Sequence, residues 1–213
     1  SRLVSKIKDG LYGRHIFRPE KAPLAVISVG NIAFGGAEKT PLVMELISFL
    51  LSQGVKAAFV SRGYKGAWER KGGLLSAETK LYGTWKESGD EPFMVSQNLP
   101  GAGIFIGKNR LESCRRARQL GFHLAVLDEG FQHRRLRRDL DIVLHHPEIK
   151  WALREQVSAL ARADIILLRK GEAVREIRRR FPRVEIFEYR VAVEGLMTWD
   201  RKEMVPPYSL REK

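Results

Sequence analysis

Cysteine is nearly absent: Cys114 is the single one in 213 residues. An internal disulfide is therefore excluded, and with no secretory signal in view a reducing cytosol is the expected compartment. In "NRLESCRRA" this cysteine sits in a helical pattern, where it reads as a small buried side chain rather than a nucleophile. No apolar run reaches the ~18 residues a membrane helix needs. No His/Cys spacing suggests zinc, and no nucleophile elbow supports a Ser/His/Asp triad. Internal repeats and low-complexity tracts are missing too. Acidic residues are scarce, 25 Asp+Glu against 38 Lys+Arg, for a net charge of +13. That balance favours a polyanionic partner, namely nucleic acid, an anionic membrane surface or a phosphorylated substrate, although solvated basic helix faces would also produce it.

What is present is a globular composition, 44% hydrophobic and 30% charged, in a chain long enough for one full core. Apolar runs "LAVISV", "KAAFVS", "GIFIG", "HLAVLD", "LDIVLH", "DIILL" and "RVEIFEY" read as strands. Helical patterns fall between most of them, at Lys39–Ser52, Asp90–Asn98, Asn109–Leu120, Trp151–Arg162 and Glu172–Arg180. Continuous apolar strands alternating with amphipathic helices predict an α/β fold with a mainly parallel sheet covered on both faces. Residues 72–87 break the rhythm and read as a hairpin excursion, and "YRVAVEGLMTWDRKEMV" reads as a further antiparallel pair. We divide the chain into a basic amphipathic helix over 1–20, a core over 21–190 and the start of a linker or second small domain over 191–213. A start at Ser1 rather than Met and a polar end, "VPPYSLREK", add the expectation of a fragment.

Ligands of such sheets bind at the carboxyl ends of the strands, so chemistry is sought just after Val29, Val60 and Leu127. After the first comes "GNIAFGGAEKTP". A strand, a glycine turn and Lys39-Thr40 opening a helix follow the plan of a phosphate-binding loop, in which the lysine reaches phosphates and the hydroxyl a Mg²⁺ ion. The strict pattern G-x-x-x-x-G-K-(S/T) fails at Ala33 and Glu38, which leaves an ordinary strand–turn–helix junction open. After the second strand, "VSRGYKG" would bring Arg62 to the sheet edge, where it could meet a phosphate. In "SGDEPFMV", Ser88 or Asp90 could cap a helix with Pro92 in its first turn; otherwise Asp90 and Glu91 offer a general base and a magnesium helper. The third strand ends in Asp128-Glu129, an acidic strand end suited to Mg²⁺, and runs into "GFQHRRLRRDLDI", where Gln132 and His133 are further candidates.

These motifs occur in the order of a single family. The chain resembles tetraacyldisaccharide 4′-kinase, the lipid A kinase of Gram-negative bacteria, over roughly residues 24–190. That family reads V-G-N-x-x-x-G-G-(T/S/N)-G-K-T-P, S-R-G-Y, G-D-E-P and D-D-G-F-Q-H-x-x-L-x-R-D-x-x-I. Here "VGNIAFGGAEKTP", "SRGY", "GDEP" and "DEGFQHRRLRRDLDI" stand in the same places. The resemblance implies a P-loop NTPase-like fold and transfer of the ATP γ-phosphate to the 4′-hydroxyl of a lipid-linked disaccharide, at the inner face of the inner membrane. It implies an ATP loop of Ala33, Phe34, Gly35, Gly36, Ala37, Glu38, Lys39 and Thr40, with Thr40, Asp128 and Glu129 on Mg²⁺. Asp90 matches the family's base, and Glu91 and Arg62 match residues beside the transferred phosphate. Arg154 and Glu155 of "ALREQ" match part of its L-R-E-P segment and join the nucleotide site. The expected partners are then a lipid disaccharide and an anionic membrane surface, and no nucleic acid.

The departures define a second expectation. Glu38 replaces a loop glycine, Ala37 a small polar residue, Glu129 an aspartate and Gln156 a proline. A carboxylate ~4–6 Å from the triphosphate, at an effective dielectric of about 20, costs on the order of 3–4 kcal/mol. That is roughly two to three decades of affinity, reduced if Glu38 turns to solvent or pairs with an arginine such as Arg62. The family's sequence also continues further, with a histidine that assists its aspartate base. A member impaired in turnover is the alternative.

Overall fold

The computed structural model describes residues 19–34, 38–149, 152–171, 173–192, 196–197 and 204–205. The expected helix over 1–20 thus lies almost wholly outside the described residues, as do Gly35, Gly36 and Ala37.

The apolar runs form the strands anticipated for them: β1 (Ala25–Asn31), β2 (Ala57–Ser61), β5 (Gly103–Ile106), β6 (Leu124–Asp128), β7 (Leu140–His145), β8 (Ile165–Arg169) and β9 (Glu185–Tyr189). Two short strands, β3 (Gly73–Ala77) and β4 (Lys80–Leu81), complete a nine-stranded sheet in the order β4-β3-β5-β2-β6-β1-β7-β8-β9. From β5 to β9 every pairing is parallel; β3 and β4 are antiparallel additions. The 72–87 segment is therefore not a free-standing hairpin but the edge of the main sheet, β3 pairing with β5 through a register shift between Leu74 and Ser76.

Side-chain alternation along β2 shows how both faces are covered. Ala57 and Phe59 enter one core with Val43 and Ile47 of helix α1 (Lys39–Ser52). Ala58 and Val60 enter another with Leu111, Cys114 and Ala117 of α5 (Arg110–Gln119). Each helix presents a stripe at spacings of three or four, the geometry that buries one face. Cys114 is fully buried, and burial pushes its thiol up to about 12, as befits a packing residue. A third core lies under α6 (Ala173–Arg180) and a 3₁₀ turn at Val157–Arg162. Three further helices, α2 (Trp68–Lys71), α3 (Trp85–Ser88) and α4 (Asp90–Asn98), sit around the β3–β4 edge.

The helix expected over Trp151–Arg162 is corrected to that one 3₁₀ turn. Residues 152–155 pair with the end of β1 instead. Phe34 N–H donates to Ala152 O (2.6 Å), and the N–H groups of Arg154 and Glu155 donate to Ile32 O (2.7 and 3.2 Å). These tertiary bonds take the amides a helix would have used. Leu196–Met197 and Met204–Val205 form a separate antiparallel pair. No helix of the described residues is long and apolar enough to cross a membrane.

Candidate functional site

The parallel register brings Val29 of β1 beside Asp128 of β6, and Val60 of β2 beside Leu127. Four strand ends, those of β1, β2, β5 and β6, thereby open on one cavity of about 980 Å³. Arg62, Asp90, Glu91, Arg110, Asp128, Glu129 and Arg154 line it, with Phe34, Tyr64 and Trp85 as its aromatic walls.

Lys39 opens α1 and is buried at 7% exposure, its Nζ 3.5 Å from Glu129 Oε1. Arg154 approaches the same oxygen at 3.0 Å and stacks on the Phe34 ring, 5.2 Å from its centroid. Glu129, expected with Asp128 on a metal, is here the bridge between two cations. Its backbone is left-handed (φ 54°). The Thr40 hydroxyl donates to Glu91. Asp128 is 4% exposed, and its Oδ1 has no hydrogen-bond partner. Burial, then the charges of Glu91 and Glu129, push its carboxyl up to about 7, against the pull of Lys39 and Arg110. An acidic group held near neutrality in a cleft is a mark of functional sites.

The SRGY and GDEP segments interlock through glycine. Gly63 has φ 66°, and a Cβ there would stand 2.7 Å from Ser88 O and 2.3 Å from Ile106 Cγ2. Gly89 has φ 88°, and a Cβ there would stand 2.9 Å from Tyr64 O. Neither position takes a side chain without strain. The contact sets Arg62 and Tyr64 opposite Asp90. Gly89 is also the N-cap of α4, so the capping expected of Ser88 or Asp90 is corrected. Asp90 is left exposed at the first helical position, with Pro92 in that turn as expected. Arg62 binds Glu69 (2.6 Å) rather than Glu38.

Glu38 itself is turned out of the cavity. Its carboxylate accepts from Arg169 Nη2 and from the Tyr189 hydroxyl, each at 2.8 Å, at the ends of β8 and β9. Of the other expected residues, Ala33 is buried and bridges Leu153. Glu155 is buried against Arg162 (2.6 Å) and does not line the cavity. Gln132 donates to Asn31 O (2.7 Å), bracing the start of the loop. His133 lies in the following turn, its N–H on Gly130 O, outside the cavity lining. Arg110 was missed. It is buried at the first position of α5, just past β5, its Nε without a partner, and burial brings its guanidinium down to about 10. The same strand-end rule applied to "GIFIGKNR" would have found it.

A parallel sheet whose first strand feeds a Lys-Thr helix start, beside an acidic strand end, defines a P-loop NTPase-like α/β protein. The model of the family described as LpxK, tetraacyldisaccharide-1-P 4′-kinase, matches residues 1–210. The chain belongs to that family. The tetraacyldisaccharide 4′-kinase of Syntrophus aciditrophicus is 36% identical over 181 residues, which are 80% of this chain and 48% of that protein. For Desulfotalea psychrophila the identity is 35% over 183 residues, 81% of this chain and 52% of the relative. The crystal structure of LpxK from Aquifex aeolicus in complex with ATP superposes with a TM-score of 0.78 at 28% identity, covering all of this chain and 68% of that one. The chain thus spans about half the length of the curated relatives it matches.

Proposed function

We propose that this chain carries the nucleotide site of a kinase that moves the γ-phosphoryl group of ATP to the 4′-hydroxyl of a tetraacyl disaccharide 1-phosphate. One observation carries the reading: the cavity gathers an exposed carboxylate, Asp90, with Arg62, Arg110 and Arg154, beside the Lys39–Thr40 helix start.

Each residue then has a task. Lys39, with the N–H groups at the start of α1, binds phosphate oxygens. Asp90 accepts the proton of the attacking hydroxyl, and its exposure leaves it reachable by a second substrate. Arg62, oriented by Glu69, and Arg154, stacked on Phe34, supply charge for the group in transfer. Among the described residues no three His, Cys, Asp or Glu side chains form a ready metal cage. The donors nevertheless fit Mg²⁺, which takes one or two protein oxygens and completes its shell with phosphate and water. The partnerless buried Oδ1 of Asp128 and the Thr40 hydroxyl are those oxygens. When bound, the ion would neutralise phosphate charge.

The net charge of +13 suits a phosphorylated, lipid-borne acceptor and a peripheral place on an anionic inner-membrane surface. On this reading residues 21–190 are the kinase core, and 191–213 lead into the part that the relatives carry in addition. A second reading, binding without turnover, draws on that unmatched length of the relatives. The test is transfer of labelled phosphate from ATP to the disaccharide 1-phosphate in mixed micelles, by this chain and by a form extended with a relative's C-terminal part. Transfer by the extended form, lost in Asp90→Asn, is expected. No transfer by the extended form would refute the kinase reading, and transfer by it alone would favour the second reading for the shorter chain.

A further inference from the structure

Glu38 occupies a backbone conformation that a residue with Cβ seldom adopts, φ 52° and ψ 20°, at the N-cap of α1. Its side chain gives nothing back to the helix: it makes no capping bond. Both carboxylate oxygens are instead spoken for at long range. Oε1 accepts from Arg169 Nη2 and Oε2 from the Tyr189 hydroxyl, partners 131 and 151 positions away. Arg169 and Tyr189 are the terminal residues of β8 and β9 and are register partners across that ladder. The Tyr189 hydroxyl gives its one proton to Glu38, and its oxygen lies 3.3 Å from His146 Nε2. His146 Nδ1 in turn meets Glu148 at 3.2 Å. A chain of polar contacts thus runs from the residue before Lys39 to the far half of the sheet, outside the catalytic cavity.

We propose that Glu38 is a positioning residue, whose carboxylate, clamped by Arg169 and Tyr189, holds the start of α1 and with it Lys39 in place. Glutamate has no intrinsic reason to stay left-handed, so the clamp supplies from outside the restraint that the local backbone does not. The same clamp spends the negative charge on Arg169 rather than leaving it to repel phosphate. The role in nucleotide binding rests on the function proposed above; the mechanical role does not.

The variants are Glu38→Gln, Arg169→Leu and the double substitution. They are compared by amide hydrogen exchange of the first turn of α1 without ligand, and by Mg·ATP affinity. Arg169 is 57% exposed, so the pair is a partly screened one. Each single variant should therefore speed exchange about two- to fivefold and weaken Mg·ATP by a similar factor. The double variant should fall short of the sum of the two singles, because both weaken the same Glu38–Arg169 contact. Exchange in β1 and β6 should not move. Unchanged exchange in either single variant, additive effects in the double, or tighter Mg·ATP binding by Glu38→Gln would each overturn the proposal. If the unaltered chain binds no Mg·ATP, the nucleotide reading falls; the ligand-free exchange comparison still decides whether Glu38 holds the start of α1.

Discussion

Asp128→Asn should make the metal-free protein less sensitive to alkali. The carboxyl is 4% exposed, with one oxygen unpartnered and two other acidic groups close by, and is pushed up to about 7 from 3.8. The fold therefore holds the proton more tightly than the unfolded chain does. The resulting stability is fully present below the unfolded value of 3.8 and is lost as pH rises through about 7. At about 1.4 kcal/mol per pH interval, going from pH 5 to 8.5 removes about 2–3 kcal/mol. The asparagine variant has no proton to lose and should escape that part of the decline. Urea unfolding of both proteins in EDTA at the two pH values isolates the difference, and any direct cost of the substitution cancels. Equal pH slopes for the two proteins would refute the reasoning. So would a wild-type chain that gains stability over this range relative to the variant.

Arg110→Met removes one of the two cations that lower the Asp128 carboxyl, so the same urea series should place the stability loss at higher pH than in the wild type. An unmoved midpoint would mean that the two side chains do not sense each other. Gly63→Ala should cost about 2–3 kcal/mol, since it combines a left-handed φ with a Cβ forced against Ser88 O and Ile106. Calorimetry should show Tm down by roughly 5–10 °C, and a wild-type Tm would mean that the two loops can separate freely.

The order of strands and helices was readable because near-continuous apolar runs alternate with stripes such as Leu111, Cys114 and Ala117. What escaped was decided by contacts across the fold. Residues 152–155 carry a helical pattern, yet the amides of Arg154 and Glu155 serve Ile32, and nothing local announces it. "SGDE" offers two good caps, but the close approach of Tyr64 O puts Gly89 at that position. The orientation of Glu38 depends on Arg169 and Tyr189, which no local pattern could have singled out. Arg110 follows the fourth strand end that opens on the cavity, so the strand-end rule reaches it from the sequence alone. Glu155 had the right neighbours in sequence, but it pairs with Arg162, and neither residue lines the cavity.

Glu38 stands where the strict phosphate-loop pattern has glycine, and its carboxylate pairs with Arg169; on the proposed function that pairing diverts its charge from ATP. Calorimetric titration of Mg·ATP into the wild type, Lys39→Ala and Glu38→Gly tests that most directly. Binding by the wild type, lost in Lys39→Ala and improved less than about tenfold in Glu38→Gly, is predicted, tenfold being about 1.4 kcal/mol. A wild type that fails to bind while Glu38→Gly binds tightly would contradict the account.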